Sequence, residues 1–388
     1  MTDKTIHIIG AGIGGMTLAL GLLQGGRKIR VYEQAPELGE VGAGLSISPN
    51  ASKGLGYLGL LPFMDEHSNR PQRNYVFHGQ TNEELVCINR QTDIEKYKGE
   101  YFQIHRADFH AELVRRVKAL DPDAISLNHM LKDAKPSRNG VMLSFSNGEA
   151  IKPELVIGAD GLKSVIRDKV FEYCEPEFTS LMAWRGLIPA ETVPDIFVDP
   201  VSRVWVGPAR TFVTYPIRHK NLVNIVAFAQ AKQWTEEGWT VRADINEMVE
   251  AFDGYVEEVQ TLISAMLETN LFRWGLFSRK PLKSLVKGSI ALIGDAAHPM
   301  LPWFGQGASS SIEDAVVLAR CLLNYSDETE GLARYNDIRC ERVTFLQRES
   351  NAGTERMQSF NPYSLRDAPR RDEDALGIFK FDPATAEI

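Results

Sequence analysis

The sequence predicts an α/β chain in two parts: a parallel sheet wound with helices, and an antiparallel β-sheet inserted into it. Three observations carry that reading. The N-terminus runs strand, Gly10-x-Gly12-x-x-Gly15, helix, strand, acid. Between Leu181 and Ala229, strand-like runs follow one another with only Gly, Pro and Asn turns between them. An apolar run at 289–293 then opens into an irregular loop and a glycine-headed helix. Strands separated by helices pair in parallel, whereas consecutive strands on short turns pair antiparallel.

Composition sets the bounds. A chain of 388 residues is long for a single core, so two nested units are expected. With 44% apolar and 24% charged residues the chain sits in the globular range, not the disordered one. A net charge of −8 without a long basic run excludes nucleic acid as a partner. No apolar stretch approaches the ~20 residues of a membrane span, and the chain opens almost directly on a strand, leaving no room for a signal peptide. Cys87, Cys174, Cys321 and Cys340 have neither C-x-x-C nor metal-ligand spacing, so no metal site is expected. A reduced, cytoplasmic protein with buried thiols is the expectation. A homodimer is compatible with all of this.

In chain order, Thr5 to Ile9 is a β-branched strand, Met16 to Leu23 a helix, and Lys28 to Tyr32 a second strand delivering Glu33. This is a dinucleotide fingerprint in its full Rossmann-like context. Gly10 makes the tight turn, Gly12 lets the backbone approach a pyrophosphate, Gly15 permits close helix–strand packing, and Glu33 suits ribose hydroxyls. Glu33 also argues against a 2′-phosphorylated nucleotide, since two anions repel. A second glycine-rich stretch, Val41 to Asn50, fits a loop over a larger, flat ligand, with Pro49-Asn50 opening a helix from Ala51 to Leu61. Asn74 to Tyr101 is a strand-like excursion, and Tyr101 to Arg106 returns from it to a helix spanning Ala107 to Val117. Arg106, at that junction, is either a ligand-phosphate contact or a solvated arginine. Leu127–Ala134 and Gly140–Phe145 form a strand pair, and an Asn147-Gly148 turn leads to a strand over Ile151–Ile157 that closes on Asp160-Gly161. At a strand's carboxyl end, that pair stands where α/β sheets bind ligands.

The inserted sheet comprises Leu181–Ile188, Arg203–Val206, Thr211–Ile217, Leu222–Ala229 and, after two helices within Ala243–Met266, Leu271–Phe277. Trp184, Trp205, Phe212, Tyr215 and Phe228 are available to line one face, with one or two turned to a cavity. Ala291 to Asp314 then supplies strand, acid-bearing loop and helix. Gly305-Gln306-Gly307 allows close backbone approach, and the helix dipole favours an anion. Arg334 to Arg356 is a long charged helix, and 361–388 a poorly ordered or wrapping tail. The division expected is 1–73, 98–177 and 278–350 for the cofactor domain, 74–97 and 178–277 for the substrate domain, and 351–388 for the tail.

Three motifs now stand in one order: the fingerprint with Glu33, Asp160-Gly161, and Gly294-Asp295-Ala-Ala-His298-Pro. Together they closely resemble the class A, single-component flavoprotein aromatic hydroxylases, the family around p-hydroxybenzoate hydroxylase, over nearly the whole chain. Trp184-Arg-Gly186, Tyr215-Pro216 and Pro302-x-x-Gly-Gln-Gly307 are most similar to the salicylate, 3-hydroxybenzoate and 6-hydroxynicotinate hydroxylase branch. The resemblance implies a p-hydroxybenzoate hydroxylase-like fold and tightly bound FAD, with NADH or NADPH visiting transiently and O₂ as cosubstrate. It places the FAD on Gly10, Gly12, Gly14, Gly15, Glu33, Gln34, Ala43, Arg106, Leu131, Asp160, Asp295, Gly305, Gly307 and Ala308.

The implied reaction is reduction of FAD by NAD(P)H, capture of O₂ as a C4a-hydroperoxide and transfer of one oxygen atom to an activated ring. Pro302 would wall the oxygen-activating side, and Tyr215 would orient the substrate hydroxyl. Ser46, Trp184 and Arg185 join Tyr215 as substrate contacts, Arg185 meeting a carboxylate or pairing with a core acid. Where the 6-hydroxynicotinate branch carries a histidine base, this chain has Ser46, a departure from that pattern. His298 is expected to stabilise its loop, and His219 to lie at the surface. Small aromatic acids or phenols are the expected substrates. Heteroaromatics (hydroxynicotinate, urate, quinolone), a non-oxygenating FAD reductase or dehydrogenase, and a non-catalytic FAD protein are the competing readings.

Overall fold

The computed structural model describes residues 4–39, 42–137, 140–171, 173–234, 241–266 and 271–388. Val41, which heads the second glycine-rich stretch, lies outside them. A six-stranded sheet has the order Val286–Lys287, Ile290–Leu292, Leu155–Gly158, Ile6–Ile9, Ile29–Tyr32, Ile125–Ser126, parallel except for its first pair. Leu155–Gly158 thus lies between Ile6–Ile9 and Ile290–Leu292, and the carboxyl ends of these three strands bring the fingerprint, Gly161 and the 294–298 loop to one edge. The helices Ile13–Gln24 and Gln306–Asn324 pack against each other on this sheet. A Cβ added to Gly14 would meet Ser311 Cβ at 3.3 Å, and one added to Gly21 would meet Ala319 Cβ at 3.1 Å. That register makes the helices parallel, with both N-termini at the same end.

The second sheet has eight strands in the order Val241–Arg242, Phe272–Ser278, Glu177–Pro189, Leu222–Gln230, Arg210–Ile217, Val201–Gly207, Arg73–His78, Glu84–Asn89. It is antiparallel apart from Val201–Gly207 on Arg73–His78, which pair in parallel because the second arrives from a distant excursion of the chain. A purely antiparallel insert was the expectation; this one pair differs.

Other departures have local causes. Gly44–Ile47 is a strand paired with Phe102–His105, so most of the second glycine-rich stretch is not a loop, and the returning strand joins it, not the parallel sheet. Pro49–Tyr57 is a shorter helix than expected, followed by a separate one at Leu61–His67. Gly59, at φ +71, separates the two with a conformation no helix holds. The strand expected over Ile151–Ile157 is two, Ala150–Ile151 in a small three-stranded sheet and Leu155–Gly158 in the parallel one. Pro153 stands between them. The pair before it is Leu131–Ser137 on Gly140–Phe145.

Of the four thiols only Cys321 is buried, and Cys87 is exposed, contrary to the expectation of buried thiols. The C-terminal tail wraps: Ile378 and Phe379 are buried, and the Phe379 ring meets Tyr97 and Tyr101 edge-on at 5.3 and 6.2 Å. Among the described residues, no helix is long and apolar enough to cross a membrane.

Candidate active site

One cavity of about 510 Å³ lies between the two sheets. Its first side is backbone. Gly12, Ile13 and Gly14 from the first helix and Gly305, Gly307 and Ala308 from the second line it together with Gly161 and Asp295. Both helices have glycine N-caps, at Gly12 and Gly305, so no side chain of the cap residue satisfies their first N–H groups. Each N-terminus also carries the positive end of its dipole. A Cβ built on Gly12 or Gly307 meets nothing within 4 Å, so both faces stay open to close approach. Gly10 and Gly15 are glycine for a different reason. Gly10 sits at φ +105 and its Cβ would fall 2.3 Å from the Ala159 carbonyl; that of Gly15 would fall 2.1 Å from the Gly10 carbonyl. The fingerprint thus divides into packing glycines and a ligand-facing one.

The 294–298 loop is fastened from behind. Asp314 accepts from the Gly294 amide (2.9 Å), from Arg339 Nε (2.8 Å) and from His298 Nε2 (2.5 Å). Arg339, completely buried, also bonds Glu313, which Arg342 bonds at 2.7 Å. Burial disfavours these carboxylates, but the charges of His298 and Arg339 on Asp314, and of Arg342 and Arg339 on Glu313, outweigh it and hold both low. His298 therefore serves the loop, as expected. Asp295, in front of it, has its carboxyl raised by burial and partly restored by the charges of His298 and Arg106. Arg106 lines the same cavity, its amide held by the Ala43 carbonyl at 2.8 Å.

The second side is a sheet face of side chains. Strand alternation puts Thr211, Val213 and Tyr215 on the cavity and Phe212 and Thr214 behind. Register then builds rows across the sheet: Trp274, Phe228 and Thr211; Arg185, Val226, Val213 and Val204; and Tyr215, Ser202 and Asn74. The floor is aromatic in one row, mostly aliphatic with a terminal arginine in the next, and polar in the third. Above the polar row stand Ser46, Tyr101 and Gln103, and facing the floor are Met300, Pro302 and Trp303. The Tyr101 and Tyr215 phenols both face the Ser46 hydroxyl, and both are raised by burial.

The expected residues divide accordingly. Gly12, Gly14, Ala43, Ser46, Arg106, Arg185, Tyr215, Asp295, Pro302, Gly305, Gly307 and Ala308 come together in the cavity. Trp184 does not: it is the strand neighbour of Arg185, so it points to the opposite face and packs edge-on against Phe252. Trp205 and Phe212 join it there, leaving Tyr215 and Phe228 as the two of five aromatics on the cavity side. The Asp160 carboxylate is turned into the following helix, accepting from Ser164 Oγ (2.6 Å) and the Ile166 amide (3.2 Å), while Gly161 faces the cavity. Glu33 accepts from the Ala11 and Ala35 amides at 2.8 and 3.0 Å, beside the fingerprint but outside the cavity lining. Gln34 is exposed, and Leu131 is buried in the core opposite Phe145.

Sequence reading missed Tyr101, Gln103, Ser202, Asn74, Trp274 and Glu373. Period-two alternation from Tyr215 recovers Val213 and Thr211 on its own strand, but nothing local marks the others.

The FAD binding domain family matches residues 3–350 of the chain. A 3-amino-4-hydroxybenzoate 2-monooxygenase of Streptomyces platensis is 34% identical over 369 residues, 94% of this chain and 90% of that protein. The 6-hydroxynicotinate 3-monooxygenase of Pseudomonas fluorescens is 34% identical over 354 residues, 90% and 91% respectively. Klebsiella pneumoniae HpxO, solved with FAD and uric acid, superposes with a TM-score of 0.86 at 23% identity, covering 97% of this chain and 95% of that one, a likeness of fold. The open glycines, paired helix N-termini and buried acid fit an FAD, which when bound supplies the redox and oxygen chemistry. The chain belongs to the FAD binding domain family and is a class A flavoprotein monooxygenase, dependent on FAD, NAD(P)H and O₂.

Proposed function

We propose that this enzyme hydroxylates a small aromatic acid or phenol lying on the Thr211–Tyr215 strand. The observation carrying this reading is the row pattern: Tyr215 in a polar row, a valine row beside it, Arg185 at that row's end. Valine and aromatic side chains take a flat ring, and a few polar groups fix its orientation. Burial raises the Tyr215 phenol above its ordinary range, so it stays protonated at neutral pH and orients the ring hydroxyl as a hydrogen-bond partner, not as a base. Arg185 meets the ring carboxylate. Arg106 and Asp295 would hold the flavin along its ribityl–phosphate chain, the amides of Gly305 to Ala308 would stabilise negative charge on it when reduced, and Pro302 would wall the oxygen side against water.

The support is the sequence likeness to aromatic-acid monooxygenases together with this side-chain pattern. A heteroaromatic acid is the second reading, favoured by the hydroxynicotinate relative. The domain division at 74–97 and 178–277, the cytoplasmic compartment and a homodimeric working unit belong to the same proposal. A panel of hydroxybenzoates, hydroxynicotinates, quinolones and urate tests it by stimulated NAD(P)H oxidation and product mass under labelled O₂. One labelled oxygen atom in the product is expected; NAD(P)H oxidation with no labelled product sinks hydroxylation in favour of a reductase.

A further inference from the structure

The sequence 372–374 carries three consecutive acids in the wrapped tail, and they face different ways. Asp372 accepts from Arg370 Nε at 2.7 Å, and Asp374 bonds Lys96 (2.5 Å) and the Tyr97 hydroxyl at the surface. Glu373, between them, lines the cavity. A tight turn holds it there: the Ile378 amide donates to the Glu373 carbonyl at 2.8 Å, and the Gly377 amide to Asp374 at 2.9 Å. Gly377, at φ +66, makes that turn possible.

Its partner is Arg90, which donates to Glu373 Oε1 at 3.2 Å and lies 3.5 Å from Asp93. Arg90 also lies over the Tyr101 and Phe379 rings at 4.9 and 5.2 Å. With its amide oriented to satisfy both ends, Asn74 accepts from Arg90 at 3.1 Å and donates to Ser202 at 3.2 Å. Arg90 is thus enclosed and contributes nothing to the cavity lining itself; the group presented is the carboxylate. An ionised carboxylate is acceptor-only with about four lone-pair positions. The bond to Arg90 uses part of that capacity.

We propose that Glu373 is a specificity-determining residue, whose carboxylate accepts a hydrogen bond from an amino group on the aromatic ring and disfavours a carboxylate at that place. This rests on the aromatic reading above. An amino substituent is the best complement because it donates where the carboxylate can only accept, and hydrogen bonds to charged groups are the stronger class. The tail, whose Phe379 backs Tyr101, is thereby part of the substrate site and not an appendage.

The test uses the FAD-loaded, full-length enzyme and ring pairs differing by one amino group: 4-hydroxybenzoate with 3-amino-4-hydroxybenzoate, and salicylate with 4-aminosalicylate. Binding is read from the perturbed flavin absorbance. In the parent enzyme at least one pair favours the amino ring by about tenfold in Kd. Glu373→Gln, which keeps size and an acceptor for Arg90, brings that ratio close to one. Asp374→Asn loosens the tail at Lys96 and Tyr97 without facing the cavity, and leaves the ratio intact. The proposal is overturned if neither pair shows a preference, if Glu373→Gln retains it, or if Asp374→Asn abolishes it equally. A panel in which no ring perturbs the flavin overturns the aromatic reading itself, and this inference with it.

Discussion

The two sides of the cavity are built on opposite principles. On the helix side the lining is mostly backbone and glycine, presented by two helix N-termini and one loop. On the sheet side it is side chains from six strands of one face. Backbone N–H groups recognise phosphate and charge whatever the surrounding sequence, so that side is written in short local motifs. Side-chain recognition depends on which residues the pleat and register bring into one row. A relative can therefore keep the first side unchanged while altering the second.

The largest test breaks the helix side from behind. Arg339→Met leaves Glu313 and Asp314 with less compensation in a fully buried site, and unfolding free energy should fall by about 3–5 kcal/mol in chemical denaturation. A destabilisation no larger than that of a surface arginine would remove the charge cluster as the loop's anchor.

Next, Gly12→Val separates ligand contact from packing. Because its added side chain starts in open space, the apo protein should keep its melting temperature while FAD affinity drops about a hundredfold. Gly15→Ala should do the reverse and compromise folding, since its Cβ would collide with the Gly10 carbonyl at 2.1 Å. Flavin content after purification and apo melting curves distinguish the two; identical behaviour refutes the division of roles.

On the sheet side, Arg185→Met should weaken binding of aromatic carboxylates about tenfold, while the adjacent Trp184→Phe leaves binding unaltered and costs about 1 kcal/mol of stability. If Trp184→Phe alters substrate Kd as much as Arg185→Met, Trp184 and Arg185 do not lie on opposite faces of the sheet.

The smallest effect is a pH slope. Burial pushes the Asp93 carboxyl up to about 6 against the pull of Arg90. The folded protein then holds this proton more tightly than the unfolded chain does. The stability it contributes is complete below the ordinary carboxylate value of 3.8 and is lost as pH rises through about 6. Asp93→Asn should flatten denaturation midpoints across that window; an unchanged slope assigns it elsewhere.

Legibility followed the same divide. Gly10 and Gly15 announce their roles because a tight turn and a close packing exclude larger residues within a few positions, and Gly12 stands between them, open onto the cavity. Gly305, at φ +61, and Gly307 announce the second helix in the same way. Trp184 misled because the Trp184-Arg-Gly186 motif groups it with Arg185, whereas period two assigns the pair to opposite faces. Asp160 misled because a ligand-site position also heads a helix, and the orphan Ile166 amide took the carboxylate. Glu373 was invisible: one acid among three in a polar tail has no periodicity to say which turns inward.

By itself, then, the sequence determined the parallel sheet, the inserted sheet and the two glycine-headed helix N-termini. Those depend on backbone conformation and hydrogen-bond donors within a few residues of one another. Tertiary structure alone decided that Arg73–His78 lies beside Val201–Gly207, that Tyr215 shares a row with Ser202 and Asn74, and that the tail closes on Tyr101. Such contacts join segments far apart in the chain, and they are selected by burial and register, which no local pattern encodes.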